Sequence, residues 1–513
     1  MPAKTLMIQG TASSVGKSIL VTALCRILRQ DGWNVAPFKA QNMSLNSFVT
    51  RDGGEIGRAQ VVQAEACGVE PTVAMNPILL KPEADNCSQV VVKGKPLGNM
   101  PARDYYALRE QLWKVITESL DSLSAQYDVV LIEGAGSPAE VNLKERDMVN
   151  MRVALYCQAP VLLAADIDRG GIFASLVGTL ELLEPHERAL IKAFVINKFR
   201  GDLSLLRPGL KWLEDRTRVP VAGVIPYYHD IHIAEEDSVS LERRRAMKAR
   251  SDYVLDIAVV GLPHISNFDD FDPLELENGV RLRYVEHDDA LGEPDLIILP
   301  GTKSTMADLA TIRSTGLAQK IIHRAERDTP VIGICGGYQM LGQMILDPGH
   351  VESARPQTAG LGLLPVTTTF FPVKSTHQVR AHVISGMGLL QGAAGLSIKG
   401  YEIHMAQTTG KNMAAPFCID ERSRRPCRDM DGSLSHSGNV LGTYLHAIFH
   451  NEEFRRSILT ELAARKGLTF HPAGKVFSKD EQYDRLAALV RGSLDMELIY
   501  RTVGLKGTKM HAV

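Results

Sequence analysis

The sequence lacks a strong excess of charge of either sign, because 57 Lys and Arg residues are balanced by 59 Asp and Glu residues and leave a formal net charge of −2 at pH 7. A protein that binds nucleic acid mainly through its phosphates needs a basic face. The sequence also lacks any apolar run close to the roughly 20 residues that a membrane helix needs. We therefore expect neither a nucleic-acid partner nor a membrane partner.

Cysteine is scarce, and the cysteines form no recognisable metal-binding or disulfide motif. The seven residues are an odd number and include no C-x-x-C pair. This usage argues against a disulfide framework and against a structural zinc site, and it suits a reducing compartment. The apolar run Leu6–Gln9 follows the first residues at once and leaves no room for a signal peptide. We therefore expect a cytoplasmic location.

Short apolar runs, each followed by a polar or glycine-rich turn and a helical pattern, recur along the chain. Continuous rather than alternating apolar character indicates strands that are buried on both faces, as in a parallel sheet covered by helices. These runs predict an α/β fold with doubly wound domains. They are Leu6–Gln9, Val129–Glu133, Val161–Ala165, Ala193–Asn197, Ile257–Val260, Leu296–Leu299 and Val331–Ile334.

The domain organisation follows from one interruption in this pattern. The segment 235–252 is charged and has little apolar content, which is typical of a linker. We therefore predict a first α/β domain over 1–235, a linker over 236–252 and a second α/β domain over 253–451. Leucines at helical spacing then predict a short helical tail over 452–513.

A glycine-rich segment lies between the first strand and a predicted helix at Ile19–Gln30, and it reads Gly10-Thr-Ala-Ser-Ser-Val-Gly-Lys-Ser. The backbone N–H groups of such a loop and the N-terminus of the following helix bind phosphate oxygens. The lysine can reach the β- and γ-phosphates, and the last serine can bind Mg²⁺. The spacing between the two glycines is five residues rather than four, and the alternative is a turn that binds nothing. The predicted ATP-binding residues are Gly10, Thr11, Gly16, Lys17 and Ser18.

Polar residues at the ends of later strands are further candidates, because open α/β sheets bind ligands at the carboxyl edge. Glu133 is followed by Gly-Ala-Gly and is a candidate Mg²⁺ ligand beside Ser18. The alternative for Glu133 is a hydrated carboxylate at the sheet edge. Asn197 is a candidate for contacting the adenine of ATP, although a solvated turn fits equally well. Asp166 and Asp168 remain ambiguous in the same way.

A cysteine between a buried strand and a glycine pair is the second strong signal. Cys335 follows Val331–Ile334 and precedes Gly336 and a helical pattern, which is the arrangement of a nucleophile elbow. The helix N-terminus favours the reactive thiolate. The N–H of Gly336 can face an oxyanion, and the loop at Gly301, one strand earlier, can supply the other donor. The alternative is a small buried hydrophobic residue.

A thiolate nucleophile needs a general base, and two histidines are candidates. His446 follows a short apolar segment in Gly-Thr-Tyr-Leu-His, and His404 ends Tyr-Glu-Ile-His. We predict that His446 is the base.

These motifs carry a resemblance to known families. The C-terminal half resembles class I glutamine amidotransferase domains of the cobyrinate type, through Leu-Pro-Gly-Thr-Lys-Ser-Thr, Gly-Ile-Cys-Gly-Gly-Tyr-Gln-Met-Leu and Gly-Thr-Tyr-Leu-His. The N-terminal half resembles the dethiobiotin synthetase-like P-loop ATPases, whose loop has the same five-residue gap. Over nearly its whole length the chain resembles the cobyric acid synthases. The most specific segments begin at Pro37 (Pro-Phe-Lys-Ala-Gln-Asn-Met-Ser-Leu-Asn-Ser), Glu55 (Glu-Ile-Gly-Arg-Ala-Gln), Asn76 (Asn-Pro-Ile-Leu-Leu-Lys-Pro) and Asp166 (Asp-Ile-Asp-Arg-Gly-Gly).

The resemblance implies a glutamine-hydrolysing ligase of cobalamin biosynthesis. The expected reaction is amidation of the b, d, e and g carboxylates of adenosylcobyrinic acid a,c-diamide, with ATP, Mg²⁺ and glutamine as the nitrogen donor. The intermediate expected from the ATP site is an acyl phosphate. The resemblance also implies corrin contacts and a group near the acyl phosphate, and these candidates are Lys39, Gln41, Asn42, Asn46 and Asp147.

The sequence departs from broader patterns near the predicted base. Class I glutaminases place a Glu two residues after the His, where this chain has Ile448. This predicts a Cys–His dyad without a carboxylate. Ala447 replaces a glycine that often follows the His, and we expect no effect from it.

Two alternatives remain. The a,c-diamide synthases share the architecture but carry a different segment where this chain has Lys39-Ala-Gln-Asn-Met-Ser. Partitioning-type ATPases carry an extra Lys early in the phosphate loop, where this chain has Thr11-Ala-Ser, and they have no use for a Cys335 elbow.

Overall fold

The computed structural model describes residues 2–84, 87–228, 230–234, 253–288, 290–410, 413–471 and 478–509. The chain forms two compact units. The first contains Met1–Ser44, Ile56–Glu235 and Ser478–Val513, and the second contains Leu45–Glu55 and Glu236–Phe477. The predicted linker 236–252 lies outside the described residues, so the boundaries placed there stay predictions.

Each of the predicted apolar runs lies in a strand of the structure. The described strands are β1 Lys4–Gly10, β2 Val35–Phe38, β3 Gln41–Met43, β4 Ser47–Val49, β5 Glu55–Gly57, β6 Ile78–Ala84, β7 Cys87–Val92, β8 Lys95–Pro101, β9 Val129–Glu133, β10 Val161–Asp166, β11 Ile191–Phe199, β12 Val221–Pro226, β13 Leu255–Val260, β14 Val280–Val285, β15 Leu296–Leu299, β16 Val331–Ile334, β17 Met344–Leu346, β18 Gln357–Ala359, β19 Val366–Val383, β20 Ser397–Gly410, β21 Phe417–Arg422, β22 Arg425–Asp431, β23 Ser433–Leu434 and β24 Val440–Thr443.

The described α-helices are numbered in the same way. They are α1 Lys17–Gln30, α2 Arg58–Cys67, α3 Ala102–Ala107, α4 Arg109–Gln126, α5 Met151–Cys157, α6 Ile172–Leu182, α7 Pro185–Arg188, α8 Leu203–Thr217, α9 Asp272–Glu275, α10 Thr305–Ser314, α11 Leu317–Glu326, α12 Gly336–Leu341, α13 Glu452–Arg465, α14 Lys479–Ser493 and α15 Met496–Val503. Among them, none combines the length and apolar character that crossing a bilayer requires. Short 3₁₀ turns lie at Val73–Met75, Val141–Arg146, Phe268–Phe271, Gly388–Leu390 and Ile448–His450.

The first unit is built on a six-stranded sheet in the order β12-β11-β10-β1-β9-β2. Every neighbouring pair in this sheet is parallel. Leu6 and Ile8 pack into one buried apolar cluster, whereas Met7 packs into another. Both faces of β1 are therefore covered, which explains why its apolar run is continuous. A smaller sheet, β3-β6-β7-β8, was not predicted.

The second unit repeats this plan with the strand order β14-β13-β15-β16-β24-β23. Its first four pairings are parallel, and only the edge strand β23 is antiparallel. An additional, mostly antiparallel sheet contains β18-β17-β19-β21-β22, with β20 paired to β19. The predicted α/β fold with two doubly wound domains is confirmed, and this additional sheet was not foreseen.

The C-terminal tail is helical, as predicted, but its helices are divided between the units. Leu459 and Leu462 of α13 lie in the apolar core of the second unit. Leu486 and Val490 of α14 lie in a core cluster of the first unit, together with residues of α1. Each helix buries its own apolar stripe. The sequence of such a stripe does not indicate which of the two cores the helix will join.

Substituting Gly337 in α12 tests how closely the helix after Cys335 packs on the sheet. A Cβ atom at Gly337 would lie 2.0 Å from the carbonyl oxygen of Leu299 at the end of β15. Because a backbone atom cannot yield as a side chain can, Gly337→Ala should lower stability by at least the ~1–3 kcal/mol typical of overpacking. Gly492→Ala in α14 is the control, since nothing lies within 4 Å of its added Cβ. Thermal unfolding should show a lower melting temperature for Gly337→Ala only, and equal melting temperatures would contradict this packing.

Candidate active sites

The phosphate loop, which follows β1, is held in shape by residues of β11, which lies two strands away from β1 in the sheet. α1 begins at Lys17, and Gly16 before it has a φ of 98°, which favours glycine. A Cβ atom at Gly16 would lie 2.2 Å from Nδ2 of Asn197, which donates to the carbonyl of Val15 over 2.8 Å. Asn197 thus braces the loop at the point where α1 starts. Its predicted contact with adenine stays a prediction.

A second brace comes from the residue after Asn197. Lys198 Nζ donates to the carbonyl of Ser14 over 2.6 Å and to Asp166 Oδ2 over 2.7 Å. Of the two aspartates left open above, Asp166 therefore anchors the lysine that holds the loop. Asp168 pairs with Arg200 instead, at 3.1 Å.

Glu133 is the centre of the predicted metal site. Its side chain is 1% exposed, and its Oε1 accepts hydrogen bonds from Ser18 Oγ and from Lys39 Nζ, both over 2.8 Å. Its Oε2 accepts from Nε2 of Gln63 in α2 over 2.5 Å. The structure thus brings together Ser18, Glu133 and Lys39 as three predicted site residues, and it adds Gln63, which sequence analysis missed.

The charge at this cluster is set by opposing effects. Burial raises the pKa of Glu133, but the Lys39 ammonium and the hydrogen bonds from Gln63 and Ser18 outweigh burial and lower it. The carboxylate is therefore ionised. A hydroxyl and a carboxylate oxygen this close are the hard oxygen ligands that Mg²⁺ prefers. Gln63 Oε1 is buried and has no hydrogen-bond partner among the described residues, so a further donor or cation fits the cluster.

The side chain of Lys17 joins the phosphate loop to the turn that follows β9. Its Nζ donates to the carbonyl of Ala12 over 2.9 Å and to the carbonyl of Gly136, after β9, over 3.0 Å. The residue is buried, so the ammonium is held at the carboxyl edge of the sheet. This is the edge at which phosphate is expected.

Asp147, the predicted group near the acyl phosphate, bonds to backbone N–H groups. The carboxylate of Asp147 accepts the N–H groups of Val149, Asn150 and Arg152 at 2.8–3.0 Å, so it holds the start of α5. Asn150 in turn bonds to both backbone groups of Ala135, after Glu133. Asp147 therefore supports the turn that follows Glu133, and no structural observation assigns it to an acyl phosphate.

The corrin candidates are similarly separated. Asn42 Nδ2 donates to Gln60 Oε1 over 3.1 Å, and Gln41 accepts a hydrogen bond from Tyr105. These contacts lie in the first unit. Asn46 belongs to the second unit, where its Oδ1 accepts the N–H of Phe268 over 3.3 Å.

Cys335 occupies the predicted elbow between β16 and α12. Its backbone has φ 51° and ψ −108°, a conformation that costs energy for a residue with a side chain and is often found at active sites. The residue is 8% exposed, and Sγ lies 3.5 Å from the carbonyl of Ile403. The strand, turn and helix therefore hold the sulfur in one place.

The two predicted oxyanion loops are adjacent. A Cβ atom at Gly336 would lie 3.0 Å from the backbone nitrogen of Thr302, and one at Gly301 would lie 2.9 Å from Cε1 of His446. Any side chain at either glycine would crowd this site. The geometry is compatible with Gly336 and the Gly301 loop as oxyanion donors, and that role stays a prediction.

His446 has a carboxylate partner, so the predicted dyad is wrong. Its Nδ1 lies 2.7 Å from Oδ2 of Asp270, and both side chains are 1% exposed. Oδ1 of Asp270 accepts the N–H of Ala447 over 2.8 Å. The carboxylate comes from the 3₁₀ turn Phe268–Phe271 rather than from position 448, which is why the expected spacing failed to reveal it.

The protonation of His446 follows from this partner. Burial lowers the pKa of the imidazole, but Asp270 and the thiol of Cys335 raise it to about 10. The imidazole is therefore cationic at neutral pH. Nε2 is buried without a hydrogen bond to any described residue.

His404, the alternative base, is held elsewhere. Its Nδ1 contacts the carbonyl of Ala406 at 2.7 Å, and its ring stacks on Tyr444 with centroids 3.9 Å apart. Burial lowers the pKa of His404, so it stays neutral. The structure therefore favours His446 as the base.

Two missed residues, Asp270 and Gln63, left weak signals in the sequence. Asp270 follows a buried strand of the second domain, at the edge where ligands bind, but Asp269 beside it is equally plausible. Gln63 lies three residues after the specific segment that begins at Glu55. Neither residue forms a local motif with its partner.

Comparisons with known proteins match both halves of the chain. Residues 256–454 match the family described as CobB/CobQ-like glutamine amidotransferase domain. Residues 6–241 match the family described as CobQ/CobB/MinD/ParA nucleotide binding domain. The cobyric acid synthase of Sorangium cellulosum is 55% identical over 98% of this chain and 99% of that protein. The chain belongs to the cobyric acid synthase family.

Further relatives agree with this assignment. The cobyric acid synthase of Dehalococcoides mccartyi (strain CBDB1) is 53% identical over 97% of this chain and 98% of its own length. The one from Pelotomaculum thermopropionicum is 52% identical over 99% of this chain and 98% of its own length. The predicted family and the predicted enzyme class, a glutamine-hydrolysing ligase with a nucleotide-binding domain, are confirmed.

Asp270→Asn tests the carboxylate partner. Burial then dominates, so the pKa of His446 should fall from about 10 and the cationic form should be lost at neutral pH. We expect glutamine hydrolysis to fall by about 10²–10⁴-fold, as for the loss of one positioned catalytic group. The rate of Cys335 alkylation by iodoacetamide, measured against pH, should shift to higher pH.

Asp269→Asn is the matched control, because Asp269 is also buried and lies one residue away, while the carboxylate that contacts His446 Nδ1 is that of Asp270. An alkylation profile and a hydrolysis rate in Asp270→Asn equal to those of Asp269→Asn would show that the carboxylate has no catalytic consequence.

Proposed function

We propose that the enzyme amidates the b, d, e and g carboxylates of adenosylcobyrinic acid a,c-diamide to give adenosylcobyric acid, using ATP, Mg²⁺ and glutamine. The observation that supports the proposal is that one chain of this family carries a cluster of Ser18 and Lys39 around Glu133 and, in its other unit, a His446–Asp270 pair with Cys335 at an elbow. The first suits activation of a carboxylate, and the second suits release of ammonia. A cytoplasmic location stays a prediction.

At the first site a corrin carboxylate oxygen attacks the γ-phosphorus of ATP, which gives an acyl phosphate and ADP. Lys17 and the loop N–H groups bind the phosphate oxygens, and Lys39 lies beside Glu133 to offset negative charge. Ser18 and Glu133 would hold Mg²⁺, with Gln63 fixing the carboxylate. Bound Mg²⁺ supplies positive charge that stabilises the transferring phosphoryl group.

At the second site the Cys335 thiolate attacks the carboxamide carbon of glutamine. The N–H of Gly336 and the Gly301 loop stabilise the oxyanion. His446, held by Asp270, gives a proton to the departing nitrogen, and ammonia leaves. Water then hydrolyses the thioester to glutamate and restores the thiol. Ammonia attacks the acyl phosphate, which forms the amide and releases phosphate.

Mass spectrometry of the corrin product tests this function, since each amidation changes the mass by a fixed step. Adenosylcobyrinic acid a,c-diamide should yield a product four steps away. The corrin acid that still lacks the a and c amides should be a poor substrate. The reverse preference would assign the chain to the a,c-diamide reaction.

Lys17→Ala tests the phosphate site. We expect amidation to fall to background with either glutamine or ammonia, because this lysine belongs to the phosphate loop and not to the thiol site. Glutamine hydrolysis without corrin should persist. The measurement is product formation with both nitrogen sources beside glutamate release. Amidation at the wild-type rate would contradict the assignment of the loop.

Cys335→Ala tests the division of labour between the sites. Glutamine-dependent amidation should fall by at least about 10²–10⁴-fold. Ammonium salt at mildly alkaline pH should restore amidation, because free ammonia reaches the acyl phosphate without the thiol. Cys418→Ala is the control for removing a buried thiol outside the elbow. If Cys335→Ala fails equally with both nitrogen sources, the cysteine does not serve only to release ammonia.

A further inference from the structure

A short segment of the N-terminal half belongs to the glutaminase unit. Residues Leu45–Glu55 pack in the second unit, although the residues before and after them belong to the first. In the sequence this segment joins β3, which carries Gln41 and Asn42, to α2, which carries Gln60 and Gln63. Nothing in its composition distinguishes it from its neighbours.

The beginning of the segment ties down the turn that carries Asp270. The N–H of Ser47 donates to Oδ1 of Asn267 over 3.0 Å, and the N–H of Phe268 donates to Oδ1 of Asn46 over 3.3 Å. Asn46 is buried, with 1% of its surface exposed. Two hydrogen bonds therefore fix the backbone just before the carboxylate that holds His446.

The same segment also contacts the aromatic ring that stacks on the face of the imidazole. The ring of Phe48 lies 5.6 Å from the ring of Tyr401, and Tyr401 stacks on His446 with centroids 5.1 Å apart and planes at 9°. The N–H of His446 donates to the carbonyl of Tyr401 over 2.8 Å. Val49 packs in a small apolar cluster with Tyr401 and Ile403. The segment thus reaches both Asp270 and the ring that covers the imidazole.

The remainder of the segment is anchored to β19. Lys374 Nζ pairs with Glu55 over 2.5 Å, with side chains that are 6% and 0% exposed. Thr376 Oγ1 donates to the carbonyl of Gly53 over 2.8 Å, and Gln378 donates to the carbonyl of Val49. Breaking a buried ion pair is costly, so the segment is held firmly against this strand.

We propose that Asn46 and Phe48 are positioning residues of the glutaminase, which hold the turn of Asp270 and the ring of Tyr401 in place against His446. The inference rests on the proposed function for the chemistry of the triad. It differs from the corrin contact implied for Asn46 by resemblance. Glutamine cleavage then requires a piece of chain that is continuous, at both ends, with residues of the ATP-dependent unit.

Asn46→Ala and Phe48→Leu in the full-length enzyme test this role. Both should lower kcat for glutamine hydrolysis in the absence of corrin by about 10–100-fold, since a misplacement of about 1 Å can cost 10²-fold. Amidation with ammonia should keep its rate and its KM for the corrin within twofold. The pH profile of glutamine hydrolysis should shift, because the surroundings of His446 change.

Matched variants separate positioning from general damage. Phe48→Tyr keeps the ring and should restore hydrolysis. Asp52→Ala, at the exposed tip of the same segment, should leave both the rate and the pH profile unchanged. Asn267→Gly keeps the left-handed backbone, φ 53°, but removes the acceptor for Ser47, so it should resemble Asn46→Ala even if Phe48→Leu fails to fold.

The opposite pattern would overturn the proposal. If Asn46→Ala raises the KM for the corrin with ammonia and leaves corrin-free hydrolysis unchanged, Asn46 is a substrate contact. Failure of the proposed function is distinguishable, because the wild-type enzyme itself would then form no amide with either nitrogen source while these variants still altered glutamine hydrolysis.

Discussion

The contact between Asp270 and His446 is the interaction on which the glutaminase depends. Both side chains are almost completely removed from water, and burial alone favours a neutral imidazole. A carboxylate 2.7 Å away reverses this preference and holds the ring in one orientation, with Nε2 left for the chemistry. A buried charge that loses its partner is strongly unfavourable. The turn that carries Asp270 therefore cannot shift without disturbing the charge of the base, and the structure fixes that turn from several sides.

The ATP-dependent unit also contains a buried charged group, the carboxylate of Glu133. Glu133 is as deeply buried as Asp270, and its charge is offset by the ammonium of Lys39 and by hydrogen bonds from Ser18 and Gln63. A cation that binds Ser18 and Glu133 must share the carboxylate with Lys39. Triphosphate oxygens give a lysine a second anionic partner, so nucleotide and metal are expected to bind cooperatively. In the first unit the neighbours of a buried carboxylate keep it ionised, whereas in the second unit a buried carboxylate keeps the imidazole beside it cationic.

Sequence patterns located the main strands well and the supporting residues poorly, for a physical reason. Val129–Glu133, Leu296–Leu299 and Val331–Ile334 match strands residue for residue, because burial on both faces makes a run continuously apolar. Asp270 and Gln63 depend instead on contacts with residues 176 and 70 positions away, which leave no local period. The expected dyad failed for this reason, since the carboxylate came from a different turn of the chain.

Residues 45–55 belong to the second unit, although the residues on both sides of them in the sequence belong to the first. Ammonia is protonated in neutral water and no longer attacks an acyl phosphate, so cleaving glutamine before the acceptor is ready loses the nitrogen. A glutaminase complete within residues 253–471 would be free to do this as soon as it folded. Here Asn46 and Phe48 lie beside the turn and the ring that hold His446, and the chain on either side of them runs into β3 and α2. The position of His446 therefore depends on a segment whose neighbours in the sequence, on both sides, belong to the ATP-dependent unit.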